Sequence, residues 1–188
     1  MNHETKQILL KVTRDLITTK GVDAVSMREV GKLAGLSRTA LYRHFKNKES
    51  LLAAIVVENF IVLGKEINKL KETDKINKEL LIEILVMYYN FGLKNPGYYQ
   101  LMFNTKWDNI EFPEIYEVAY TIFQKISSLV YNVTSEIVTD SSILTKKTAI
   151  LYAFIHGLVE LHLIGHNEVS KGLDDAAVLI QQMVESNL

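Results

Sequence analysis

Residues 25–52 read VSMREVGKLAGLSRTALYRHFKNKESLL, a run with three helix starts and a helix stop in close succession. Ser26-Met27-Arg28-Glu29 is a capping box: the Ser26 hydroxyl can accept from the Glu29 backbone N–H, and the Glu29 carboxylate can reach back. The helix it opens carries Met27, Val30, Leu33 and Ala34 on one side. Gly35 stops it, because glycine enters the left-handed conformation without a steric penalty. Ser37 caps a second short helix, Arg38 to Phe45, with Leu41 and Phe45 turned inward. Asn47 caps a third, whose apolar face begins at Leu51, Leu52, Ile55 and Phe60 and runs to about Leu70.

Two short helices joined through Gly35-Leu36-Ser37 make a helix-turn-helix pattern. The first helix of such a pair lies across the phosphate backbone. The second enters the major groove with its N-terminal residues at base edges. A reading helix must be polar outside and apolar only where it docks. Arg38, Thr39, Tyr42, Arg43 and His44 meet the first requirement, and Leu41 and Phe45 the second.

Outside this run everything legible is also helical. Residues 5–19 place Ile8, Leu9, Val12 and Leu16 at helical spacing, ended by Gly21. Five further helices are expected, over about 77–95, 98–104, 113–139, 142–165 and 173–186, for nine in all. Pro96-Gly97 separates the first two of these, and Pro113 sits at the first turn of the third, where a missing N–H costs nothing. The charged stretch 71–78 reads as a loop or a frayed helix.

The chain has 188 residues, 48 % of them apolar, and only two prolines and nine glycines, too few turn residues for a many-stranded β protein. With no cysteine, disulfides, thiolate metal sites and a cysteine nucleophile are excluded. The polar start and the lack of an apolar run of about 18 residues predict a soluble, cytoplasmic protein with no membrane partner. A net charge of −1 conceals an asymmetry. Residues 1–50 hold 10 basic and 5 acidic side chains, a balance of +5, and residues 51–188 hold 11 and 17, a balance of −6. A basic head on an acidic body points to a polyanion at the head. We therefore expect two domains, residues 1–50 and 51–188.

The run 25–52, and above all LYRHFKNKESLL at 41–52, resembles the DNA-binding domain of the TetR family of transcriptional regulators, over about residues 5–55. The resemblance implies an all-α fold: a three-helix DNA-binding domain followed by a helical ligand-binding and dimerisation domain. It implies that Ser37, Arg38 and Thr39 open the reading helix and face bases or nearby phosphates. Tyr42 and His44 match backbone-contact positions, Lys48 a phosphate-binding lysine, and Met27 and Arg28 touch the flanking backbone. Arg43 matches a variable position. It further implies a homodimer on a palindromic operator, repression as the commoner behaviour, and release by a small, largely apolar or aromatic effector, with no cofactor and no metal.

In the body, 12 of the 17 aromatic residues fall between Tyr88 and Tyr131. Ligand sites are mostly apolar with a few placed polar groups, and tyrosine supplies both. Tyr88, Phe91, Met102, Phe103, Trp107, Tyr120 and Phe123 are candidate walls, although helical spacing equally fits plain packing. The segment 150–163 is apolar but carries His156, Glu160 and His162; His156 and Glu160, four apart, could pair or orient a ligand group. Together with Tyr89-Asn90-Phe91 and 95–99, this segment resembles a TetR C-terminal subtype named for a Trp-His-Gly motif, here Ile155-His156-Gly157. In the family the last two helices form the dimer bundle, which implies Phe154, Leu158, Leu161, Leu173, Ala177, Ile180, Met183 and Val184 at the interface. No phosphate loop, nucleophile elbow or two-histidine metal motif occurs, so an enzyme is not expected. A helical protein-binding adaptor is the other alternative, and salt-sensitive retention on DNA discriminates against it.

Overall fold

The computed structural model describes residues 3–72, 76–134 and 140–188. Among these the regular structure is entirely helical: α1 (His3–Lys20), α2 (Met27–Leu33), α3 (Arg38–Tyr42), α4 (Lys48–Lys71), α5 (Asn77–Lys94), α6 (Pro96–Tyr99), α7 (Pro113–Thr134), α8 (Ser141–Leu163) and α9 (Ala176–Asn187). A wide π-helical turn, Gln100–Asn104, continues α6. Two 3₁₀ turns, Val22–Ala24 and Val169–Lys171, complete the set. The all-α expectation with nine α-helices therefore holds among the described residues.

Element ends follow local chemistry. Ser26 and Ser37 cap α2 and α3, each hydroxyl accepting from the backbone N–H three residues on at 3.2 Å. At α4 the cap is reciprocal: Asn47 Oδ1 accepts from Ser50 N at 2.8 Å, and Ser50 Oγ accepts from Asn47 N at 3.1 Å. Gly35, at φ +64°, closes α2 with Leu36 N donating to Gly31 O and Gly35 N to Lys32 O, a Schellman turn.

Four boundaries differ from expectation. The reading helix ends at Tyr42 rather than Phe45, although Phe45 is still buried. Pro96 and Gly97 open α6 instead of preceding it, since proline fits the first turn of a helix. Asp140 caps α8 from one residue earlier than expected. Helix α9 begins at Ala176, where Asp175 accepts from Val178 N, so Leu173 lies before it. The last five residues of the expected helix 113–139, and residues 73–75 of the charged stretch, lie outside the described residues. Leu33, expected to face inward, is 52 % exposed. Helix α2 buries Val30 and Gly31, and Leu33 sits about 110° round the helix from the midpoint of that pair.

The chain packs as two compact units, Met1–Ile61 with Gly97–Val118, and Val62–Pro96 with Ala119–Leu188. The division expected at residue 50 follows charge, whereas these units follow packing and part inside α4 and α7. In the first unit Leu9, Val30, Leu41, Leu51 and Ile55 form a core that holds α1, α2 and α3 together. Segment 97–118 is built into the same unit. A Cβ at Gly97 would stand 3.3 Å from Ile17 Cγ2, so the backbone approaches α1 closely there. Next to it, the Tyr98 hydroxyl lies 3.2 Å from both the Arg14 carbonyl oxygen and Thr18 Oγ1. In the second unit α5, α8 and α9 pack mutually around Leu81, Ile84, Leu151, Val159, Ile180 and Val184.

Candidate functional site

The first unit presents the helix-turn-helix. Leu41 and Phe45 anchor α3 in the core, being 1 % and 4 % exposed. That anchoring turns the other side of α3 to solvent: Ser37, Arg38, Thr39, Tyr42 and Arg43 are all exposed. His44, just before α4, and Lys48, at its start, are half-buried, as is Met27 at the start of α2. The Arg38 guanidinium stacks on the Tyr42 ring, 5.4 Å from its centroid, which holds both toward the outer face.

Between α2 and α3 lies a hollow of about 460 Å³, lined by Met27, Arg28, Gly31, Lys32, Leu36, Arg38 and Tyr42. Four of these were expected from the sequence; Lys32, Gly31 and Leu36 were not. For Lys32 a signal was present, since it stands four residues from Arg28 and such pairs share a helix face. The basic side chains here have no carboxylate within ion-pair distance among the described residues, whereas Arg14 pairs with Glu58 at 2.5 Å and Lys46 with Glu111 at 3.3 Å.

The expected ligand walls separate into distinct environments. Met102, Phe103 and Trp107 belong to the first unit. Met102 is buried, Phe103 packs edge-on against Phe60 and tilted against Tyr99, and Trp107 meets Phe112 while its Nε1 donates to Leu101 O at 3.0 Å. The second unit holds an aromatic cluster instead. Tyr120 stacks on Phe123, Phe123 meets Tyr152, and Tyr152 lies 4.3 Å from the His156 ring. Tyr88 Oη is 3.2 Å from His156 Nε2. Tyr152, which the sequence reading missed, stands one helical turn from His156 on α8, a visible spacing. Burial pushes the His156 imidazole down to about 4 and raises the Tyr152 phenol, so the cluster is uncharged at neutral pH. Glu160 is half-buried one turn further along α8. Phe91 lies elsewhere in the unit, in an open groove of about 490 Å³ between α4 and α5, with Leu70, Val86, Met87, Asn90 and Lys94.

His162 joins three elements. Leu173 O can only accept, so Nε2 donates in that 2.7 Å bond, and Nδ1 is hydrogen-bonded to the Tyr89 hydroxyl. Of the expected interface residues, Leu158, Ile180 and Val184 are core residues of their own unit, at 3 %, 0 % and 0 % exposure. Phe154, Leu173 and Met183 are half-buried, and Leu161 and Ala177 are exposed. The reason is helical phase: α9 buries Ala176, Ile180 and Val184, four apart, and turns Ala177 and Val178 outward. Among the described residues no helix is long and apolar enough to cross a membrane, and no group of three or more histidine or acidic side chains could hold a metal.

Comparison with known proteins agrees with the geometry. The family profile described as "Bacterial regulatory proteins, tetR family" matches residues 9–55, and "Tetracyclin repressor-like, C-terminal domain" matches residues 81–186. The nucleoid occlusion factor SlmA of Mannheimia succiniciproducens is 30 % identical over 94 residues, 49 % of this chain and 43 % of that protein. The HTH-type transcriptional regulator AcrR of Shigella flexneri is 42 % identical over 52 residues, 28 % of this chain and 24 % of its own. The match thus spans less than half the length of either of these two relatives. A crystal structure of a TetR transcriptional regulator from Rhodococcus sp. RHA1 superposes with a TM-score of 0.71 at 19 % identity, covering 100 % of this chain and 98 % of that one. Another Rhodococcus protein, of unknown function, gives 0.77 at 20 % identity over 97 % and 90 %.

Proposed function

We propose that this chain, which belongs to the TetR family of bacterial regulatory proteins, is a cytoplasmic transcriptional repressor. It binds a palindromic DNA operator as a homodimer, and a small, largely apolar or aromatic effector releases it. The observation that carries this is the outer face of α3: exposed Arg38, Thr39, Tyr42 and Arg43 on a helix anchored by Leu41 and Phe45, with basic side chains unpaired among the described residues. Cations left without carboxylates keep counterions that duplex phosphates displace, and this release drives association. Arg38 reads a base, while Ser37, Thr39, Tyr42, His44, Lys48, Met27 and Arg28 set register on the backbone.

The uncharged cluster Tyr88, Tyr120, Phe123, Tyr152 and His156 supports an apolar or aromatic effector with one hydrogen-bonding group, since a neutral imidazole offers no charge to pair. The exposed apolar residues of α8 and α9, Ile150, Leu161 and Val178, together with Ala177, support the dimer contact. Two reading helices about one DNA turn apart, roughly 34–36 Å or a multiple, follow from it. The effector must bind the DNA-competent and incompetent states unequally, or it shifts nothing.

Selection of binding sites from random duplex DNA, followed by titration at several salt concentrations, tests the reading. A palindromic consensus and a steep loss of affinity with salt are expected. Salt-insensitive retention, or no enrichment, overturns it in favour of a protein-binding adaptor.

A further inference from the structure

Within the second unit, two lysines reach across the contact between α4 and α7. Lys71 Nζ donates to Ser128 Oγ at 3.4 Å, and Lys125 Nζ donates to Asn68 Oδ1 at 2.6 Å. The backbone makes this crossing possible. A Cβ at Gly64 would stand 3.2 Å from Ile122 Cδ1 and 3.9 Å from Lys125 Cε, so the bare glycine lets α7 lie close to α4. Gly64, Asn68 and Lys71 are spaced four and three apart and share one face of α4. Lys125 and Ser128, three apart, share one face of α7.

Two ammonium groups held this near repel each other, and no acid offsets them. Neither lysine has a carboxylate within ion-pair distance among the described residues, whereas Lys69 is paired with Glu66 at 2.7 Å. Partial burial, and after it the Lys125 charge, hold the Lys71 amine below its ordinary value. Donors are in surplus as well. An ammonium carries three N–H groups, and each lysine engages one neutral oxygen among the described residues. Lysine can only donate, so the Asn68 amide turns Oδ1 toward Lys125, which leaves both Nδ2 protons unengaged among the described residues.

We propose that Lys71, Lys125 and Asn68 form a binding site for a small phosphate-bearing anion that bridges α4 and α7. Two ammonium groups match the charge of a dianionic phosphate. Lysine binds phosphate as a point charge, whereas a planar carboxylate favours the arginine fork. The site is separate from the DNA contact proposed above, since Lys71 is the last residue of α4 and Lys48 the first.

The test titrates the full-length protein, free of DNA and at low ionic strength, with inorganic phosphate and with glycerol 3-phosphate. Acetate serves as the control anion, and lysine side-chain NMR is the readout. The Lys71 and Lys125 resonances move saturably with phosphate, and the Lys71 titration midpoint rises, because a bound dianion favours the ammonium form. A response to only one of the two phosphates supports the site and identifies free phosphate or an ester as its source. Lys71→Ala and Lys125→Ala each weaken binding about tenfold or more, the loss expected for a charge-assisted hydrogen bond. Lys125→Arg keeps most of the affinity, and Lys69→Ala, on the same helix, leaves it within about twofold. Circular dichroism confirms that the variants fold. No saturable movement at Lys71 and Lys125 overturns the proposal, as does an equal response to acetate. Binding that survives in the Lys71→Ala, Lys125→Ala double variant also overturns it, by placing the anion elsewhere. None of these results bears on the DNA-binding reading.

Discussion

His156 gives the structure a measurable acid sensitivity. An exposed imidazole titrates near 6.5, whereas burial beside Tyr88 and Tyr152 pushes His156 to about 4. The folded state therefore refuses a proton that the unfolded state accepts. The stability this group supports is fully present above pH 6.5, falls as pH drops through the window between 6.5 and 4, and is gone below. Linkage between those two values gives a loss of about 2.5 kcal/mol on going from pH 7.5 to pH 4.5. Urea unfolding at the two pH values, with the His156→Phe variant alongside, isolates the effect. Phenylalanine keeps a ring in the cluster and removes the titration, so the unmodified protein should lose about 2.5 kcal/mol more than the variant across that range. Histidine ring resonances provide the direct reading, with His156 remaining neutral down to about pH 5. A midpoint near 6.5 in the folded protein, or equal losses for the two proteins, would refute the argument that burial controls this residue.

The remaining predictions concern the head. Lys48→Ala should weaken binding to every duplex and flatten the salt slope by about one unit, read by anisotropy titration. Arg38→Ala should relax preference at one operator position, worth about 1–3 kcal/mol of discrimination, and a selection returning the original consensus would count against it. Ser37→Ala removes the hydroxyl that accepts from Ala40 N and should cost about 1 kcal/mol in urea unfolding. Tyr98→Phe removes the hydrogen bond to the Arg14 carbonyl and should cost about 1 kcal/mol. Exchange protection of amides 97–104 should fall with it.

What could be read from the chain alone was what is local. Ser26, Ser37 and Asn47 cap helices because a hydroxyl or amide oxygen reaches an N–H only three residues away. Gly35 ends α2 because its backbone must take a positive φ. These interactions close within a few residues, so sequence states them directly, and with them the two short helices, the turn and the exposed face of α3. The basic head and acidic body are equally a matter of counting.

Long-range partners were not legible. Nothing in the sequence brings Tyr98 to Arg14, 84 residues away, or His162 to Tyr89, 73 away. Helical periodicity showed that α8 and α9 carry apolar residues but not which stripe turns inward, because both stripes have the same spacing. Packing against α5 chose Leu158, Ile180 and Val184 for the core and left Leu161 and Ala177 outside. For the same reason the aromatic residues 88–131 looked like one wall, yet Phe103 and Trp107 fold into one unit and Tyr88 and Phe123 into the other. Likewise the basic side chains of α2 and α3 were visible singly, whereas the hollow that gathers them exists only once the Schellman turn at Gly35 sets the two helices against each other. Capping and turn energies act within a few bonds and are fixed by residue type. Burial and hydrogen bonding across helices depend on which surfaces meet, and only the tertiary structure decides that.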